Sequence, residues 1–103
     1  MNNNPIYVVT VFTKCTENKE YGILDLGETR TIGFLHDLTT AKKLVESNSC
    51  DIWETCYTYA IVEEIEPGFY PISTKNFLYK FNIDKNIYEE IPIHKFMNVL
   101  GII

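Results

Sequence analysis

Apolar positions follow one another almost without a break in IYVVTVFT, residues 6–13. Side chains alternate sides along a strand, so an apolar residue at nearly every position predicts a central strand buried on both faces. The next stretch, KCTENKEYGILDLGETR, is polar and interrupted by Gly22 and Gly27, which predicts a long loop or an irregular hairpin. Unstructured connections of that length are often binding elements. The strand pattern resumes in RTIGFLH, residues 30–36.

The period then changes. In DLTTAKKLVESNS, Leu38, Ala41, Leu44 and Val45 fall on one helical face, with Lys42, Lys43 and Glu46 on the other. Asp37 or Thr39 can cap this amphipathic helix by accepting from a free first-turn amide. YTYAIVEEI, residues 57–65, reads as a second two-sided strand stopped by the turn residues EPG. Glu63, Glu64 and Glu66 are expected where that strand runs out into solvent.

NFLYKFNIDKNIYEEI, residues 76–91, alternates as a hairpin turning at Asp84, Lys85 and Asn86. One of its faces carries Leu78, Lys80 and Asn82 and is expected to be solvated. PIHKFMNVLG has proline near a first helical position, an apolar stripe of Ile93, Phe96, Met97 and Leu100, and a closing glycine, which predicts a short terminal helix. The expected architecture is α+β: a mainly antiparallel sheet of about five strands, one amphipathic helix packed on it and a short C-terminal helix.

A length of 103 residues fits a single domain, 1–103, able to bury a core without disulfides or metals. The net charge of −5 makes long nucleic acid an unfavourable partner. No apolar run approaches the ~18 residues of a membrane span, and MNNNPIYVV lacks the basic start of a signal peptide. A cytoplasmic location is therefore expected. The odd number of cysteines, Cys15, Cys50 and Cys56, fits a reducing compartment.

Cys50 and Cys56 would stand ~20 Å apart in a strand and ~9 Å apart along a helix. A disulfide needs Cα atoms within ~7 Å, and this spacing matches neither redox pairs nor zinc knuckles. Asp51 and Glu54 share a face if DIWE forms a helical turn. With His36 they make up the constellation available to a small hydrolase or nucleotide-cleaving enzyme. No Walker loop, glycine-rich dinucleotide fingerprint or G-x-S-x-G elbow is present in the sequence. No catalytic residue, cofactor or metal is assigned.

A second constellation is Arg30 with Thr29 and Thr31, followed by the helix start at 37–40. A guanidinium fork, hydroxyls and free helix amides are the groups that grip a phosphate or carboxylate. His36 adjoins them, and Trp53 and Tyr57 are aromatics able to stack a base or anchor a protein interface. Arg30, Thr31, His36, Trp53 and Tyr57 are the candidate ligand-binding residues.

The glycine before an aromatic, the A-x-x-x-V helix, C-D-I-x-E, Y-x-Y-A-I-x-E-E-I and E-P-G-x-Y-P together resemble small uncharacterised proteins of low-GC Gram-positive bacteria and their phages. The likeness spans about residues 6–91. It implies a small bacterial or phage accessory protein and carries no activity or site residue. The function expected is a non-enzymatic binding protein of anti-defence type. It would sequester a nucleotide-like small molecule or cover a host protein surface. Homo-oligomerisation is also expected to be open to it, because so small a chain can share aromatic faces or sheet edges across a two-fold.

Overall fold

The structure, a computed structural model, describes residues 5–18, 20, 23–48, 57–66 and 73–92. Five strands form one antiparallel sheet: β1 (Ile6–Phe12), β4 (Thr29–Leu35), β5 (Tyr59–Ile65), β6 (Ser73–Asn82) and β7 (Ile87–Ile91). They lie in the order β4-β1-β5-β6-β7. The long polar segment after β1 folds as a small hairpin of β2 (Thr16–Asn18) and β3 (Ile23–Asp25). Its base is closed by Thr13 N–H donating to Glu28 O and Lys14 N–H to Leu26 O, each at 3.1 Å. The α+β class, the five antiparallel strands and one helix on them agree with the sequence pattern. The terminal helix expected over 92–101 lies, from residue 93 on, outside the described residues.

Helix α1 (Leu38–Glu46) starts where the pattern placed it. Asp37 is extended, and its carboxylate accepts from the Thr40 amide at 2.8 Å, satisfying a first-turn donor with no carbonyl partner. At the other end Asn48, at φ 53°, takes the left-handed turn that ends a helix, while Ser47 N–H and Oγ–H both donate to Lys43 O. Ala41 and Val45 are fully buried against Val9, Val11, Ala60, Val62, Tyr79, Phe81 and Tyr88. Burying one such valine contributes roughly 1.5–2 kcal/mol, and it is this packed face that holds a nine-residue helix that would not persist in water alone. At the far side Lys42 reaches Glu90 of β7 at 3.3 Å and sits 4.0 Å above the Phe77 ring.

The second face of the sheet is solvated only in part: Lys80 is exposed and Asn82 half-buried, but its centre is covered. Residues opposite one another across β1, β5 and β6 run Val8–Glu63–Asn76 and Thr10–Ile61–Leu78. Leu78 is 2% exposed and Glu63 is fully buried. The expectations for these two residues are therefore corrected. Glu63 lies inside a strand paired on both sides, not at a strand end entering water, and Leu78 belongs to a buried cluster with Phe12 and Ile61. Phe12 stacks on Tyr59 with ring centroids 5.3 Å apart and planes 7° from parallel. No helix among the described residues is long and apolar enough to cross a membrane.

Candidate functional site

Strand β4 forms one edge of the sheet, and its pairing with β1 slips in the middle. Val9 pairs with Gly33 and Thr10 with Thr31, so Ile32 is an extra residue. A bulge of this kind turns two consecutive residues toward the same face. Here those residues are Ile32, packed against the core under α1, and Gly33. Gly33 has φ 157°, a backbone that side-chain-bearing residues rarely adopt, and a Cβ placed there would meet nothing within 4 Å. The bulge thus leaves a hollow where a regular strand would place a side chain.

That hollow belongs to an open cleft of about 230 Å³ lined by Val9, Ile32, Gly33, Phe34, Leu35 and Leu44. All six residues are apolar or glycine. Phe34 borders the cleft along the strand, but it stands opposite Val8, so its ring, 62% exposed, projects from the other face of the edge strand, where it meets the His36 ring edge-on, 5.9 Å away at 87°. Thr29, Arg30 and Thr31 continue the exposed edge.

His36, one of the sequence candidates, therefore stands beside Phe34 at the end of the edge strand. Arg30 and Thr31 lie on the same strand but diverge, since neighbouring strand residues point to opposite faces. Arg30 is opposite Val11, while Thr31 is opposite Thr10 and their hydroxyl oxygens are 3.1 Å apart. Six residue steps separate Arg30 from His36, roughly 20 Å of extended chain, so the structure does not bring the guanidinium to the helix start. The helix start is also occupied. The Asp37 carboxylate accepts from both the amide and the hydroxyl of Thr40, and these bonds hold its pKa below the usual value. An ionised carboxylate there repels an incoming anion.

The Tyr57 ring packs against the helix-side core, and its carbonyl accepts from the Tyr88 hydroxyl at 2.6 Å. Those contacts make Tyr57 part of the fold's support. Trp53, Asp51, Glu54, Cys50 and Cys56 lie outside the described residues, so of the hydrolase constellation only His36 is placed. Among the described residues no group of three or more His, Cys, Asp or Glu side chains is arranged to hold a metal ion.

The cleft residues Ile32, Gly33, Phe34 and Leu44 were not singled out by sequence pattern. One local signal pointed to them: a glycine inside a strand pattern, as in IGF, marks a bulge or a close backbone approach. Comparison of the chain with protein-family models, with curated proteins and with solved structures returns no match.

Proposed function

We propose that this chain is a non-enzymatic binding protein that works by occupancy, using the β4 edge to cover a surface on another protein. The observation that carries this reading is the edge strand β4, which presents a cleft whose side chains are all apolar on one face and an exposed phenylalanine on the other. Aromatic and aliphatic anchors of this kind dominate protein interfaces. The same lining offers a phosphate no charged or hydrogen-bonding side chain. At about 230 Å³ the cleft is also smaller than the roughly 300–1,000 Å³ of ordinary small-molecule sites. Of the two modes expected of a binding protein, covering a protein surface is therefore favoured over sequestering a nucleotide-like molecule. The motif resemblance to small bacterial and phage proteins supports a bacterial host as the source of the partner and an accessory, anti-defence role.

The test has two arms. Calorimetry against cyclic dinucleotides and ADP-ribose derivatives is expected to give no heat of binding. Pull-down from host lysate is expected to retain one protein in stoichiometric amount with the wild-type chain and to lose it with Phe34→Ser, whose melting temperature should match wild type. Nucleotide binding would overturn the proposal, and so would equal capture by the Phe34→Ser variant.

A further inference from the structure

We draw no further inference here: the strongest candidate, the apolar cleft between β4 and α1 over Gly33, belongs to the site already described, and nothing in the structure shows what covers it.

Discussion

The Tyr88 hydroxyl donates to the main-chain carbonyl of Tyr57 at 2.6 Å, tying edge strand β7 to the chain that leads into β5. Strand β6 lies between those two strands, so the tyrosine reaches across a neighbour. Its ring is 1% exposed and meets Phe81 at 5.1 Å and 62°. Removing the hydroxyl while keeping the ring isolates the hydrogen bond. Tyr88→Phe is expected to cost about 1–2 kcal/mol, the net value of a buried hydrogen bond plus part of the cost of stranding its acceptor. Urea unfolding at neutral pH measures this, and an unchanged midpoint would show that the bond contributes nothing.

Burial also raises the pKa of the Tyr88 hydroxyl to about 12. Tyr79 is shifted in the same direction, first by burial and then by the charges of Glu46 and Glu90. Its hydroxyl makes no hydrogen bond of good geometry, although Glu46 lies nearby. Below about pH 10 both folded and unfolded tyrosines are protonated, and neither contributes a pH dependence. Above that value the unfolded chain releases protons that the folded chain keeps, so stability falls by up to about 1.4 kcal/mol per pH unit for each tyrosine. For Tyr88 the loss runs through its folded value near 12. Urea midpoints from pH 9 to 11.5 should decline, and Tyr88→Phe should make the decline shallower.

Two glycines are expected to respond unequally to alanine. Gly27, at φ 68°, places a new Cβ against the Thr13 hydroxyl and the Lys14 side chain. That hydroxyl oxygen accepts from the Glu28 amide at 3.0 Å and cannot simply move away. Gly27→Ala therefore combines backbone strain with a steric clash, for about 2–3 kcal/mol. Gly33→Ala meets open space and carries strain alone, about 1–2 kcal/mol. Thermal melts of the pair should rank Gly27→Ala as the more damaging, and the reverse order would contradict the geometry at the hairpin base.

Asp37→Ala should lower the melting temperature by several degrees, as loss of an N-cap does in a small domain, while Asp37→Asn should recover most of it. Because the Thr40 bonds lower the folded pKa of Asp37, its contribution is present above the ordinary carboxylate value. It is lost as pH falls through the folded value. The gap between wild type and Asp37→Ala, followed by circular dichroism from pH 7 to pH 2.5, should narrow toward the acid end.

The elements legible in the sequence were those whose pattern records burial on a known period. IYVVTVFT and YTYAIVEEI are apolar on both faces and became paired strands, and the 3.6-residue spacing of Leu38, Ala41 and Val45 became the helix face. Glu63 and Leu78 were misjudged because one strand's alternation does not reveal what covers its second face. Arg30 and the helix start are close in sequence, but a strand of 3.3 Å per residue carries them apart. The cleft depends on a slip in pairing between β1 and β4 together with Leu44 arriving from the helix, a coincidence of distant residues that no local period encodes.

The bulge also sets a phase boundary within β4. On the Arg30 side even-numbered residues face α1, whereas from Gly33 onward the odd-numbered ones do. A straight strand laid along this edge can therefore match faces over Thr29–Ile32 or over Gly33–Leu35, but not over both. Continuous pairing along the edge requires a compensating irregularity in the added strand. The discontinuity thereby limits indiscriminate sheet extension while leaving the Gly33 hollow on one face and Phe34 on the other accessible.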